Sequence, residues 1–289
     1  MDRAAVFRAH RARLYGIAYR MLGSRADAED MLQEAYLRWH QADAERICTP
    51  EAWLVTAVTR LCIDRLRAAR VEREAYVGPW LPEPLVEQPY VAPDAHAELA
   101  SDLSVAFLAV LERLAPEERA ALLLHDVFET DYADVARILG KSEAACRQTV
   151  HRARERVKQD RPRLQVSEAA HARLLQRFLA ALQSGNKDAL LELLATDATW
   201  TSDGGGKTKA ARKVLRGADR VARLAIGIWR RYYARGVPHA ASVNGVRGVV
   251  MCIDGRVASA LSIDTDGVRI RGVYTVLNPD KLAGIPPPA

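Results

Sequence analysis

Residues 1–75 follow a helical pattern, with apolar positions at spacings of three and four and almost no proline or glycine. Gly23 and Ser24 stand where one helix should end and the next should be capped. Pro50 suits the first turn of a helix predicted to reach about Arg73. The pattern therefore predicts an all-helical first domain over residues 1–75. The apolar stripe before Gly23 consists of Leu14, Ile17, Ala18, Met21 and Leu22.

Prolines change the character of residues 76–98, where they occupy positions 79, 82, 84, 89 and 93. Proline fixes φ and lacks an N–H, so this segment is predicted to be an extended linker rather than a helix or a central strand. Trp80 and Leu81 are large apolar groups that a solvated linker seldom exposes. We therefore expect the linker to dock on another part of the molecule.

The remaining chain divides into a helical part and a mixed part. Residues 99–163 return to a helical pattern, with Pro116 at a helix start. From residue 164 onward, two amphipathic helices precede three hairpin signals. Residues 164–289 are therefore predicted to form an α+β domain, an antiparallel meander with helices packed on one face. The three hairpin signals are Asn244-Gly245, Asp254-Gly255 and Asp266-Gly267.

Charge is distributed unevenly along the 289 residues. Residues 1–163 carry 24 basic and 26 acidic residues, a net charge of −2, whereas residues 164–289 carry 18 and 10, a net charge of +8. Within the first part, residues 141–163 hold 8 basic and 3 acidic residues. A local basic patch, rather than the overall charge, therefore indicates where nucleic acid would bind.

Other features of the sequence exclude whole classes of protein. No apolar run approaches the roughly 18 residues that span a bilayer, and the N-terminal residues lack the apolar core of a signal peptide. We therefore expect a cytoplasmic protein with no membrane partner. The cysteines are scattered without a C-x-x-C pair, so neither a zinc site nor a disulfide framework is expected. Each is predicted to be a small buried apolar residue; they are Cys48, Cys62, Cys146 and Cys252.

Residues 131–156 have the pattern of a helix-turn-helix. Gly140 ends one helix, and Ser142 is suited to cap the next. The second helix should bury Cys146, Val150, Ala153 and Val157, which leaves a polar face that carries base-reading and phosphate-reading chemistry. This pattern predicts DNA binding, but it does not distinguish a repressor from a sigma factor. The polar face contains Arg147, Gln148, His151, Arg152 and Arg154.

The segment from Asp27 to Trp39 resembles region 2 of the extracytoplasmic-function (ECF) sigma factors of bacterial RNA polymerase. The resemblance implies that Asp30, Gln33 and Glu34 contact core polymerase. Pro50–Leu54 and Asp64–Arg67 resemble the segment with which the family melts promoters and reads the minus-10 element. Many family members have Asn where this chain has Arg60, so the minus-10 preference does not carry over. The implied minus-10 residues are Arg60, Asp64, Arg65, Arg67 and Arg70.

Leu114 through Arg156 resembles sigma region 4, which reads the minus-35 element. Two such regions joined by a short linker define the ECF family. The resemblance implies core RNA polymerase and promoter DNA as partners, and it implies no cofactor, no metal and no catalytic residue. The implied minus-35 residues are Ser142, Arg147, Gln148, His151, Arg152 and Arg154.

Beyond region 4, residues 192–200 and the Asp203–Lys207 run resemble the SnoaL-like fold, a cone of helices and a curved sheet. One ECF group with this fused domain shares two further motifs with the chain, in the linker and near the end. The resemblance implies regulation in cis, inhibitory or activating, in place of a dedicated anti-sigma factor. The implied regulatory residues are Trp80, Leu81, Pro82, Glu83, Pro84, Leu85, Asp203, Gly204, Gly205, Gly206, Lys207, Asn278, Pro279, Asp280, Lys281 and Leu282.

An alternative hypothesis is a helix-turn-helix regulator with a ligand-binding or cyclase-like enzymatic C-terminal domain. SnoaL relatives include cyclases and isomerases, for which Asp203, His239 and Asp264 would be the candidate acids and bases. We expect no enzymatic activity, because a single His or Asp in such a domain is more often structural. A small-molecule ligand in the cone is the more natural use of a concave site.

Overall fold

The computed structural model describes residues 2–43, 47–87, 103–160 and 166–286, with the side chains of Gln159 and Asp160 left out. Positions 88–98 of the expected linker and 99–102 of the following segment lie outside these ranges. The chain divides into two compact units. One contains Met1–Glu74, His96–Leu103 and Phe107–Pro162; the other contains Ala75–Ala95, Ser104–Ala106 and Arg163–Ala289.

The first unit is helical throughout its described residues. Its N-terminal helices pack together around a core that includes Leu14, Met21 and Leu54. Gly23 adopts the left-handed conformation that ends α1, and the Ser24 hydroxyl accepts the N–H of Asp27 to cap α2, as predicted. These helices are α1 (Arg3–Leu22), α2 (Arg25–Gln41), α3 (Pro50–Ala68) and α4 (Arg70–Glu74).

Helix α3 is shorter than predicted, because Ala69, with ψ of −6°, breaks the helix before Arg73. The expectation that every cysteine is buried was wrong for Cys48. This residue is exposed in the loop before Pro50, outside any helix whose apolar face could cover it, whereas the other three cysteines are buried.

The second half of this unit contains the predicted helix-turn-helix. Gly140 is left-handed at the end of one helix, and the Ser142 hydroxyl accepts the N–H of Ala145 at the start of the next. Cys146, Val150 and Ala153 are fully buried, as the spacing predicts, whereas Val157, near the end of the helix, is only half-buried. The helices are α5 (Val105–Leu111), α6 (Pro116–Leu122, continued by a π turn over Leu123–Val127), α7 (Tyr132–Leu139) and α8 (Glu143–Asp160).

The second unit is an α+β domain built on a seven-stranded sheet of order β1-β4-β5-β6-β7-β2-β3. The strands are β1 (Val86–Glu87), β2 (Leu194–Asp203), β3 (Leu215–Arg216), β4 (Val237–Val243), β5 (Val246–Ile253), β6 (Arg256–Thr265) and β7 (Ile270–Val276). The helices are α9 (Glu168–Ser184), α10 (Lys187–Leu193), α11 (Ala218–Ile228, with a π turn over Trp229–Tyr233) and α12 (Pro279–Leu282).

Strands β4 to β7 form the predicted antiparallel meander. Positive φ at both residues of Asn244-Gly245 and of Asp254-Gly255 gives the tight turns that such pairs favour. Two pairings were not predicted: β2 runs parallel to β7, and the linker supplies β1, which pairs with β4 at the sheet edge. Helices α9, α10 and α11 cover one face through a core that includes Phe178 and Val221.

No helix in the described ranges is long and apolar enough to cross a membrane.

Candidate functional site

The predicted polymerase-binding face lies on α2. Asp30 and Gln33 are exposed, and Glu34 is half-buried and accepts a hydrogen bond from the Arg38 Nε at 2.8 Å. Leu37 lies one turn further along the same face and is 50% exposed. An exposed leucine beside an acidic and amide-bearing face is a feature of protein-binding surfaces that the sequence pattern did not single out.

Two of the predicted minus-10 residues contact the helix-turn-helix half of the same unit. The Arg60 guanidinium donates to the backbone oxygens of Ile138 (2.9 Å) and Arg137 (3.2 Å) at the C-terminal end of α7, where the helix dipole attracts a cation. Arg67 donates to Glu117 at 2.6 Å, and Glu117 also accepts from Lys141. The hydrogen bond from Lys141 and, to a lesser extent, the one from Arg67 lower the pKa of Glu117.

The other predicted minus-10 residues have local partners. Arg65 donates to Asp27 at 2.9 Å, and both side chains are mostly buried. Asp64 accepts from Arg67 at 3.3 Å, and Arg70 pairs with Glu74 on an exposed turn. Arg65 is thus half-buried, whereas Arg67 and Arg70 are exposed.

A further contact between the two halves of this unit had no sequence signal. Glu112, at the end of α5, pairs with both Arg73 and Arg119. Arg119 is 3% exposed and also donates to the Met21 carbonyl, while Arg73 donates to the Leu22 carbonyl at 3.0 Å. Two arginines thus occupy the C-terminal carbonyls of α1 and share one carboxylate.

Helix α8 presents the predicted DNA-reading face to solvent. Gln148, His151 and Arg152 are exposed and form no hydrogen bond or ion pair within the described residues. Arg147 instead pairs with Glu143 at 2.8 Å and lies over the Tyr132 ring. Arg154 makes a bidentate contact with Asp126, which is mostly buried and so holds that guanidinium in place.

In the second unit, the linker lies against the end of β2. Asp203 is fully buried, and its carboxylate accepts the Leu81 backbone N–H at 2.8 Å, the Tyr76 hydroxyl at 2.5 Å and the Lys281 Nζ at 2.7 Å. Burial, followed by the hydrogen bond to Asp203, raises the pKa of Tyr76 well above its usual range. We call Tyr76, Leu81, Asp203, Asn278 and Lys281 the linker cluster.

Lys281 and Asn278 complete the linker cluster. The Lys281 Nζ also donates to the Leu81 carbonyl and lies 3.9 Å from the centroid of the Trp80 ring. Asn278 donates to the Tyr76 hydroxyl at 2.9 Å, and its backbone N–H donates to the Asp203 carbonyl at 2.9 Å. The linker motif, the Asp203 motif and the motif near the end of the chain therefore meet at one place.

The linker continues along the sheet after Leu81. Pro82 and Pro84 are buried, and Glu83 and Leu85 are half-buried. Leu85 exchanges hydrogen bonds with Asn244, 3.1 Å to the side-chain oxygen and 2.7 Å from the Asn244 N–H, and the chain then pairs as β1. The linker is thus bound along about ten residues of its length.

The glycines after Asp203 permit close approaches. A Cβ on Gly204 would lie 2.5 Å from the Thr208 carbonyl oxygen, and one on Gly205 would lie 2.3 Å from the Asn278 side-chain nitrogen. Gly206 is exposed, and Lys207 follows with an exposed ion pair to Asp280 at 2.6 Å. Pro279 is exposed and Leu282 is buried in α12.

The residues considered for a cyclase-like reaction do not converge under the helices. The register places Asp203, His239 and Asp264 on the sheet face opposite the core that α9, α10 and α11 cover. The Asp203 carboxylate is also fully occupied by its hydrogen bonds to Leu81, Tyr76 and Lys281. Within the described ranges, no group of three or more His, Cys, Asp or Glu side chains could hold a metal ion.

Comparison with known proteins identifies two family regions in the chain. Residues 6–71 match the family model for Sigma-70 region 2, and residues 104–157 match that for Sigma-70, region 4. The chain is 40% identical over 291 residues to the ECF RNA polymerase sigma factor SigJ of Mycobacterium tuberculosis, covering 97% of this chain and 93% of the relative. It is 32% identical over 283 residues to the probable ECF RNA polymerase sigma factor SigI of that organism, covering 96% and 94%.

The crystal structure of M. tuberculosis SigJ superposes with a TM-score of 0.79 at 38% identity, covering 98% of this chain and 99% of that one. Both sigma regions and the fused domain are included in this match, which does not favour a regulator that acts without polymerase. The chain therefore belongs to the ECF RNA polymerase sigma factors with a fused C-terminal SnoaL-like domain, factors that direct promoter-specific transcription initiation.

Proposed function

We propose that the C-terminal domain regulates this sigma factor in cis by binding the linker between regions 2 and 4. The observation that carries the proposal is the buried Asp203 carboxylate, which accepts the Leu81 N–H and the Tyr76 hydroxyl of the linker. A linker bound in this way can no longer extend freely. Regions 2 and 4 therefore cannot adopt the spacing that polymerase and promoter require. Release of the linker is then the activating step.

Promoter-directed transcription in vitro with core polymerase tests this proposal. Asp203→Asn keeps the shape but removes the charge that Lys281 and the linker N–H require, so it should raise transcription several-fold over the unmodified chain. Asp197→Asn is the matched control, because Asp197 lies on the same strand and is 77% exposed. Cis-regulation is refuted if Asp203→Asn and truncation after Val166 both leave transcription unchanged.

Tyr76→Phe is a milder second variant, in case Asp203→Asn impairs folding. It removes one hydrogen bond to a carboxylate, worth about 1.5–3 kcal/mol. It should release the linker in part and give intermediate transcription. If Asp203→Asn activates but truncation inactivates, the domain also contributes positively, and its net charge of +8 offers a means of holding polymerase or DNA.

We further propose that regions 2 and 4 inhibit each other within the first unit. Support comes from Arg60 and Arg67, which would contact minus-10 DNA but here donate to α7 and to Glu117. DNA and region 4 would then compete for the same guanidinium groups. Because each contact is partly exposed, minus-10 DNA should readily replace region 4 at these guanidinium groups once core polymerase separates the two regions.

Roles for individual residues follow from exposure and chemistry. Asp30, Gln33 and Glu34 would bind core polymerase, together with the exposed Leu37. Gln148, His151 and Arg152 would read minus-35 bases, Arg147 and Arg154 would contact phosphates, and Ser142 would support the helix start. Replacing Gln148 with Ala should reduce discrimination at one base pair by about 1–3 kcal/mol, measured by transcription from a set of minus-35 variants.

The proposed mechanism gives the C-terminal domain a binding role rather than a catalytic one, and it requires no separate anti-sigma factor. The occupied state of Asp203 supports this, since a general acid or base must be free to exchange a proton with a substrate. The unmodified chain should therefore still direct less transcription than Asp203→Asn in a purified system that contains only core polymerase and promoter DNA.

A further inference from the structure

The segment Lys207–Arg216 concentrates positive charge in the C-terminal unit. Its ten residues hold five basic and no acidic side chains. Lys207 pairs with Asp280, but Lys209, Arg212 and Lys213 are exposed and form no ion pair within the described part of the chain. Uncompensated cations so close in sequence raise the local potential and attract anions.

Part of this segment lines a cavity of about 460 Å³. Lys207, Lys209 and Arg212 belong to the lining, which includes no Asp or Glu residue. The linker contributes Val77 and Gly78 to the same lining. A cavity of this volume falls within the range of small-molecule sites in proteins.

Glycines allow close approaches in the lining of this cavity. A Cβ on Gly206 would lie 3.2 Å from the Cβ of Val77, and one on Gly78 would lie 3.7 Å from the Cα of Arg212. The linker therefore packs closely against Gly206, through the Val77 side chain, and against the backbone of Arg212.

We propose that this cavity binds a small molecule carrying phosphate groups, and that binding strengthens docking of the linker. Lysine and arginine together suit phosphate, the first as a point charge and the second as a bidentate donor. Duplex DNA is the less suitable occupant, because it presents phosphates along a rod and a cavity of this size admits few of them. Since the lining includes Val77 and Gly78 of the linker as well as basic residues, an anion that contacts both groups binds the docked linker better than the released linker.

This inference does not rest on cis-regulation, because binding is measured without polymerase. Inorganic pyrophosphate and inorganic phosphate are titrated into the full chain by calorimetry at constant ionic strength, with citrate as a carboxylate probe. Pyrophosphate should bind more tightly than phosphate or citrate. The double variant Lys209→Gln/Arg212→Gln should weaken its binding at least about tenfold, roughly 1.4 kcal/mol.

The matched control is Arg173→Gln/Arg177→Gln, which removes two exposed charges on α9 that form no ion pair within the described residues. This control should leave pyrophosphate binding within about twofold. If the two double variants weaken pyrophosphate binding equally, binding depends on the overall positive charge rather than on this cavity, and the proposal is overturned. Equally tight binding of citrate would overturn the assignment to phosphate.

Hydrogen exchange tests the link to the linker. Pyrophosphate should slow exchange in peptides that cover residues 76–87, where the Leu81 and Leu85 N–H groups are bonded. Binding without slower exchange would overturn the coupling. If pyrophosphate fails to bind but a short duplex DNA binds in a manner that depends on Lys209 and Arg212, the segment is a DNA contact and the small-molecule proposal is wrong.

Discussion

Lys281 and Asp203 form an ion pair inside the C-terminal unit, with 2.7 Å between Nζ and Oδ2 and with side-chain exposures of 12% and 0%. The carboxylate has exchanged its hydration for bonds to the linker and to this one ammonium group. Removing one partner of such a buried pair lowers the free energy of unfolding, because the other partner is left charged and unsolvated.

Replacing Lys281 with Met should therefore destabilise the C-terminal unit by about 3–5 kcal/mol. Lys207→Met is the matched control. It breaks a pair of similar length, 2.6 Å to Asp280, whose side chains are 56% and 62% exposed, so it should cost less than about 1 kcal/mol. Urea unfolding of both variants measures the difference. If both variants lower the free energy of unfolding by a similar small amount, the buried pair contributes no more than a surface pair.

Arg60→Ala should loosen region 2 from region 4. It removes two charge-assisted hydrogen bonds to the carbonyls of α7, which are partly exposed, so the loss should be about 1 kcal/mol. Faster hydrogen exchange in residues 132–139 of the full chain is the expected signature. Arg70→Ala, which breaks only an exposed pair within one helical turn, should leave that exchange unchanged.

Two glycine substitutions should change stability in opposite directions. Gly140→Ala introduces a side chain where φ is +65°, and it should destabilise the helix-turn-helix by about 1 kcal/mol although no atom lies within 4 Å of the new Cβ. Gly227→Ala lies in α11 without positive φ and with equal space, so it should stabilise by about 0.5–1 kcal/mol. Thermal unfolding gives the sign of each change, and the same sign for both would contradict the backbone explanation.

His171 should make the C-terminal unit sensitive to mild acid. Burial lowers its pKa below the usual 6.5, and the Nδ1 has no partner within the described residues while Nε2 bonds to the Ile263 carbonyl at 3.2 Å. The charged groups around it are Glu168, Asp264 and Arg247. The two acids favour protonation and the arginine opposes it, but burial outweighs them.

The sign of the pH effect follows from this lowered pKa. As pH falls through 6.5, the unfolded chain takes up a proton that the folded chain resists, so the stabilisation is present above pH 6.5 and is lost below it. Unfolding free energies measured from pH 7.5 to pH 5.5 should decrease, by no more than about 1.4 kcal/mol per pH unit from this group. In His171→Gln the unfolding free energy should depend less on pH. If its pH dependence is unchanged, groups other than His171 cause it.

Local signals in the sequence predicted much of the fold. Gly23, Gly140 and the turn at Asn244 occur where the backbone needs positive φ, and few residues other than glycine and asparagine supply it. Helical spacing predicted the buried face of α8. These features depend on residues within a few positions of one another, so a pattern can indicate them.

Long-range pairings carried no such signal. Nothing near Asp203 indicates that its carboxylate meets Leu81, 122 residues earlier in the chain, or Lys281, 78 residues later. The parallel pairing of β2 with β7 is likewise a matter of chain path rather than of local composition. The contacts of Arg60 with α7 were missed because its basic charge indicated DNA, whereas helix carbonyls bind the same guanidinium.

The short strand β1 protects the C-terminal sheet as well as fixing the linker. It covers Ser242 and Val243 at the outer edge of β4, and an uncovered strand edge is a template for pairing with other chains. Release of the linker therefore opens this stretch of the edge to self-association. If release of the linker activates the factor, as proposed, we expect a freed molecule that does not engage polymerase to self-associate through this edge, unless another strand pairs with it.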